Sequence, residues 1–364
     1  MRSKTLLITL TLLIFASLLS GCFGGSSGAT VASSWPGLTA DGGLVYLASG
    51  QHVYAIDHTN GTEQWRFPAE VLKGAEFYAP PALTQDGQLI IASFNHTLYS
   101  VDAATGVQKW VFEDAEDRYI AKPLVTDTAI YAPSSDGNLY ALDLNGKRLW
   151  TLKTEGAIWA PPTTYADCEC VYVTSMDHHV YVADSDTGRL LWKSDDLGGS
   201  IISSPTLDEQ DMRLVVGTFG KEVIALNLQD GAVEWRVPTD GWVWSSPLLV
   251  DGALYFGDGV GNFYSLSAAD GSQNWKIQPS LGSPIVGTPI LVDATIYFTT
   301  EKQAVYGVNA EGGIVSTFNV EAKLYSSPVW VDGKLLVAEM GGDALLTALN
   351  ENGAPQWLFT PSTK

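Results

Sequence analysis

Residue types that carry catalysis or bind metals are scarce in this sequence. It has three cysteines and five histidines in 364 residues. No two cysteines are adjacent, and no C-x-x-C-H segment is present to attach haem. Serine is abundant, yet no strand-to-helix G-x-S-x-G elbow presents one as a nucleophile. Basic residues are few: 20 Lys and Arg face 40 Asp and Glu, a net charge of −20. A chain this acidic repels phosphate backbones, which excludes nucleic acid as a partner. The acids are spread along the sequence rather than gathered in a tail, so their first effect is solubility.

Long apolar runs are also lacking, with one exception at the start. Arg2 and Lys4 precede an apolar stretch from Leu6 to Leu19. It is short of the roughly 20 residues a membrane span needs and suits a secretory leader. "LSGC" follows, Leu19 to Cys22, and resembles the bacterial lipobox. That resemblance implies a leader over residues 1–21, cleavage before Cys22 and acylation of that cysteine. Residues 22–32 then read as a Gly/Ser-rich tether, and 33–364 as the folded part. Loss of Arg2 and Lys4 leaves 18 bases against 40 acids. Position 23 is Phe and not Asp. In a two-membrane cell this leans toward the outer membrane, facing the periplasm; with one membrane the site is the outer face of the cytoplasmic membrane.

What the chain does have is a repeat. "LYALDLNGKRLW" ends at Trp150, and the same phrase ends at Trp65, Trp110, Trp192, Trp235, Trp275 and Trp357, with Phe318 in the remaining aromatic slot. Successive anchors are 45, 40, 42, 43, 40, 43 and 39 residues apart. A period near 40 built from strand-type phrases marks a propeller or solenoid. "SSPLLVDGALYFGDGVGNFYSLSAADGSQNW", Ser245 to Trp275, divides into four alternating strands joined by tight turns, the last ending at its Trp. A proline opens each unit, at Pro36, Pro81, Pro123, Pro162, Pro205, Pro247, Pro289 and Pro328. The predicted fold is all-β, an eight-bladed β-propeller of four-stranded antiparallel blades. The anchors are expected to pack between blades. The recurring Asp57, Asp102, Asp143 and Asp184 are expected to cap turns rather than hold metal. No blade is expected to mix strands from the two chain ends, so closure rests on packing of blade 1 against blade 8.

The phrase "SSP-x-L-x-D-G-x-L-Y … L-Y-A-L-D-x-x-T-G-x-x-x-W" resembles the pyrroloquinoline-quinone-type propeller repeat across residues 33–360. Two branches share that repeat: quinoprotein dehydrogenases, and non-catalytic lipoproteins similar to BamB of the machine that inserts outer-membrane β-barrels. Lipobox, tether and a single ring of this length resemble the second branch. The resemblance implies a non-catalytic, lipid-anchored protein-interaction scaffold of the cell envelope, with a β-barrel assembly machine as partner. No cofactor is expected. The dehydrogenases carry adjacent cysteines and large insertions, and this chain has neither, so pyrroloquinoline quinone is not expected. The alternatives are a propeller that binds a quinone or sugar in its funnel, and a relative of the quinone-dependent dehydrogenases.

Candidate site residues follow from the repeat. Three positions before each opening proline stand Tyr78, Ile120, Trp159, Ile202, Trp244, Val286 and Tyr325. These bulky residues are expected at the rim of one face of the funnel, with Trp242 beside them. Small residues follow each of them, as crowding at the axis demands. Trp159, Trp242, Trp244, Tyr78 and Tyr325 are therefore candidates for docking a protein, with Trp242 and Trp244 at the centre, because Trp is a common hot-spot residue. Lys122 reads as a solvated surface lysine that offers the same rim a charge. Asp177, His178 and His179 fall on a turn and strand where neighbours point to opposite faces, so no metal is expected. Cys168 and Cys170, which flank Glu169, are left open between a disulfide and free thiols.

Overall fold

The computed structural model describes residues 35–362. The leader, Cys22 and the tether lie outside the described residues. Eight four-stranded antiparallel sheets follow one another along the chain, over 37–67, 82–112, 124–153, 163–193, 206–238, 248–277, 290–319 and 329–359. Each takes its four strands in sequence order, so among the described residues no blade borrows a strand from the other chain end. Among the described residues the only helical piece is the short turn Ala166–Cys168.

Every first strand begins at the residue after one of the eight prolines. Proline fits there because it has no N–H to place in the ladder. First strands touch one another from blade to blade, which marks them as the inner strands. Side chains tie them around the ring: Thr39 Oγ1 donates to the Pro81 carbonyl at 2.7 Å, and Thr206 Oγ1 to that of Pro247 at 2.6 Å. Crowding keeps them short, as with Ala82–Leu83 and Leu124–Val125. By this topology one face, here the upper, carries each blade's second turn and the blade-to-blade connections. The lower face carries the first and third turns.

The core is not one mass but eight clusters, one at each blade interface. Leu89, Ile91 and Tyr99 of blade 2 pack on Tyr46, Val53 and Ala55 of blade 1. Leu38, Val45 and Leu47 of blade 1 pack on Leu336, Leu346 and Trp357 of blade 8 in the same way, and this closes the ring. Each indole reaches forward to the next blade's third turn. Trp65 lies on Gly106, Trp110 on Gly146, Trp150 on Gly188, Trp192 on Gly231, Trp235 on Gly271, Trp275 on Gly312 and Trp357 on Gly61. All seven indole N–H groups donate to a carbonyl of that turn, at 2.7 to 3.3 Å. The turn aspartates do cap: Asp57, Asp102, Asp143 and Asp184 each accept backbone N–H groups two or three residues on.

Two sequence expectations are corrected here. The tryptophan does not end its strand; Trp275 is the middle of Gln273–Ile277. The two residues beyond it complete the ladder with the third strand, as Ile277 does opposite Phe263. The second correction concerns Phe318. In every other blade the tryptophan stands opposite a fixed residue of the third strand, as Trp65 does opposite Ala55. In blade 7 the equivalent Gly307 faces Ser316, so serine holds that register position. Phe318 is two residues further on. Side chains two apart share a face of a strand, and the Phe318 ring fills the vacant seat against Gly353. A phenyl ring has no N–H, so this seam alone lacks the indole hydrogen bond.

Candidate upper-face interaction site

Each blade-to-blade connection enters the next inner strand with alternating side chains. Four residues before the proline the side chain is buried between blades: Phe77, Tyr119, Ile158, Ile201, Val243, Ile285 and Leu324. These are the inter-blade fillers, which the sequence reading overlooked. Tyr119 is the polar member; burial raises its pKa, and its hydroxyl has no hydrogen-bond partner among the described residues. One residue later comes the bulky series. Tyr78, Ile120, Trp159, Trp244 and Tyr325 are half-buried, but Ile202 is only 2 % exposed and Val286 6 %. Those two are corrected from rim to core.

The structure brings together three of the predicted residues and adds two that the sequence reading missed. Trp242 and Trp244 meet edge-on at 6.4 Å between centroids. Phe219, on the second turn of blade 5, packs against both, at 5.4 and 5.7 Å. Trp35 comes from the opposite side of the sequence. Its ring lies 4.6 Å from Trp244 and stacks on Tyr325 at 5.4 Å. Trp35 immediately precedes Pro36, where other blades carry Pro80, Lys122, Pro161, Ser204, Ser246, Thr288 and Ser327. A large ring at a position otherwise held by smaller or flexible residues was the available signal. Its contacts run from blade 1 to the entries of blades 6 and 8, across the mouth of the funnel. Aromatic pairs of this kind contribute about 0.5–1.5 kcal/mol each beyond their buried area.

The group stays open to solvent at its edge. Phe219 is 37 % exposed. Trp242 covers Gly259, where a Cβ would come within 2.2 Å of the indole. Beside it Val260 and Leu281 are exposed, and Gly282 N–H donates to the Val260 carbonyl at 3.0 Å. At the far end Lys323 Nζ bonds Glu301 at 2.6 Å. Burial pushes the Glu301 carboxyl up, but Lys323 and the Tyr325 hydroxyl outweigh it and hold the pKa below the ordinary value. The surface is thus aromatic at the centre, apolar at the edge of Val260 and Leu281, and charged at the end of Lys323 and Glu301.

The other candidates lie apart. Tyr78 packs on Phe94 at 5.2 Å, and the Arg118 guanidinium covers the same ring at 5.3 Å. Trp159 Nε1 donates to Ser135 Oγ at 3.0 Å. Lys122 is corrected: it is half-buried at the funnel wall, and burial alone lowers its pKa. Among the described residues it forms no ion pair. His178 Nδ1 faces Asp196 at 3.2 Å, whereas His179 Nδ1 faces the Ser194 carbonyl at 2.9 Å, so the two rings serve different neighbours. A disulfide joins Cys168 and Cys170. Among the described residues no group of three or more His, Cys, Asp or Glu is placed to hold a metal ion.

Comparison with known proteins adds the following. The family model described as outer membrane protein assembly factor BamB matches residues 49–193 and 176–316. BamB of Salmonella typhimurium is 27 % identical over 147 residues, 40 % of this chain and 36 % of that protein. A tetrathionate hydrolase of Acidithiobacillus ferrooxidans is 24 % identical over 168 residues, 39 % of this chain and 34 % of that protein. The matched stretches span about a third of each of these relatives. The crystal structure of BamB from Moraxella catarrhalis superposes with a TM-score of 0.71 at 17 % identity, covering 83 % of this chain and 92 % of that one.

Proposed function

Starting from a chain that belongs to the BamB family of propellers with quinone-type repeats, we propose that it is a non-catalytic docking scaffold of the cell envelope. It is held at a membrane through acylated Cys22 and supports the assembly of outer-membrane β-barrel proteins. One observation carries this reading: the solvent-edged aromatic group of Trp35, Phe219, Trp242, Trp244 and Tyr325 on the upper face. Large rings fixed in place before binding lose little entropy when a partner covers them. The contact of Trp35 with Trp244 and Tyr325 at the mouth of the funnel supports a docking role over a quinone site.

The test is a mild-detergent purification of the native lipoprotein, with co-purifying chains identified by mass spectrometry. A near-stoichiometric β-barrel assembly subunit is expected. Trp242→Ala with Trp244→Ala should remove it, while the chain still folds and its melting temperature falls by no more than the lost ring pairs account for. A preparation with no protein partner would defeat the scaffold role, and a large loss of stability would make the two indoles core residues.

A further inference from the structure

A second surface lies on the circumference, away from the upper face. Among the described residues every blade ends in an outer strand whose far side pairs with nothing, leaving N–H and C=O groups free for another strand. Proteins protect such edges with charge or proline. Six of the eight outer strands here carry Lys, Arg or Glu, as in Arg148–Lys153 and Val233–Pro238. Pro355–Phe359 opens with proline. Ile314–Asn319 of blade 7, "IVSTFN", has neither. Ile314 is 49 % exposed and Val315 57 %. This is also the strand in which Ser316 replaces the repeat's tryptophan, so it departs from its sisters on both faces.

We infer that the outer edge of Ile314–Asn319 is a docking site for an extended, uncharged strand of a partner protein, flanked by basic residues. The free backbone groups set the extended conformation, since only another strand satisfies them in series. Ile314 and Val315 point to opposite faces of the strand, so the partner gains from an apolar residue on either face. Exposed Glu311 and Glu321 bracket the strand at its two ends, and neither forms an ion pair among the described residues. They supply the preference for Lys or Arg at the flanks. A second copy of this chain is a poor occupant, because each copy brings a net charge of −20. This surface is independent of the upper-face aromatic group.

The probe is a fluorescein-labelled Lys-Thr-Val-Thr-Val-Thr-Val-Lys peptide, titrated with the full chain and followed by anisotropy. Saturable binding is expected. Val315→Lys, which restores the protection its sisters have, should weaken it by about tenfold or more and leave both the melting temperature and the upper-face partner unaffected. Thr317→Lys is the second variant, in case the first disturbs packing. A peptide N-methylated at alternate residues keeps the side chains but loses the backbone donors, and it should not bind. No binding by the parent peptide would overturn the inference, as would equal binding by the N-methylated one or by the Val315→Lys chain. Sedimentation of the chain alone closes the last route: a dimer abolished by Val315→Lys would assign the edge to a second copy instead.

Discussion

The indole of Trp357 lies on the backbone of Gly61, 296 positions away in the sequence, and joins the last strand of blade 8 to the third turn of blade 1. Its Nε1–H donates to the His58 carbonyl at 3.1 Å. This one contact repeats the geometry of the six other indole seams, but here no peptide connection holds the two blades together.

Perturbing that pair should therefore separate its parts. Gly61 has φ of 74°, and a Cβ there would come within 2.6 Å of the indole. Gly61→Ala is expected to cost about 1–3 kcal/mol through strain and overpacking. Trp357→Phe keeps most of the buried area and loses the hydrogen bond, a cost of about 1 kcal/mol. Trp357→Ala should cost about 3–5 kcal/mol. Urea unfolding measures all three. Equal losses for the phenylalanine and alanine variants would contradict this division.

Blade 7 offers a change of opposite sign. Ser316 Oγ is buried without a hydrogen-bond partner among the described residues. Ser316→Ala removes an unsatisfied group and should stabilise the chain by about 1 kcal/mol. Phe318→Ala, which empties the seat against Gly353, should lose about 3–5 kcal/mol. A destabilised Ser316→Ala chain would show that the hydroxyl has a partner in solution.

Acid and base act on different carboxylates. Thr59, Thr105 and Thr187 donate hydroxyl hydrogen bonds to Asp57, Asp102 and Asp184 and hold their pKa values below the ordinary 3.8. Their stability is present above that value and is lost as pH falls through the folded one. Glu339 is the reverse. It is 3 % exposed, and burial raises its pKa above the ordinary 4.5 despite the Thr347 hydroxyl bond. The folded chain binds that proton more tightly than the unfolded chain does. Stability from it is complete below about 4.5 and declines as pH rises through the folded value. Glu339→Gln should flatten that decline and leave the acid limb unchanged, as read by urea midpoints across weakly acidic to neutral pH. Identical profiles for the two chains would remove Glu339 as its source.

The ring was legible because its signals are periodic. Eight prolines, eight aromatic anchors and the capping aspartates each report one blade, and errors at one copy are corrected by the others. Phe318 shows the limit: spacing alone placed it in the anchor slot, and only the pairing of Gly307 with Ser316 reveals the slip. The upper face was half legible. Trp242 and Trp244 stood out as an excess over the repeat. Trp35 was legible only as a large ring before Pro36, and Phe219 not at all, because its packing on Trp242 and Trp244 crosses a blade boundary that local spacing does not report. Lys122 was misread for the same reason: its burial depends on the walls around it.

The seam between Trp357 and Gly61 is chemically equivalent to seams across which the backbone runs on. Such a ring has no privileged beginning. Moving the chain ends to another connection, with the present ends joined, would leave every blade whole and every indole on its glycine. Where a chain of this design begins and ends around the ring is therefore set by gene order rather than by folding energy, and a fused module could be relocated around the wheel without redesigning a blade.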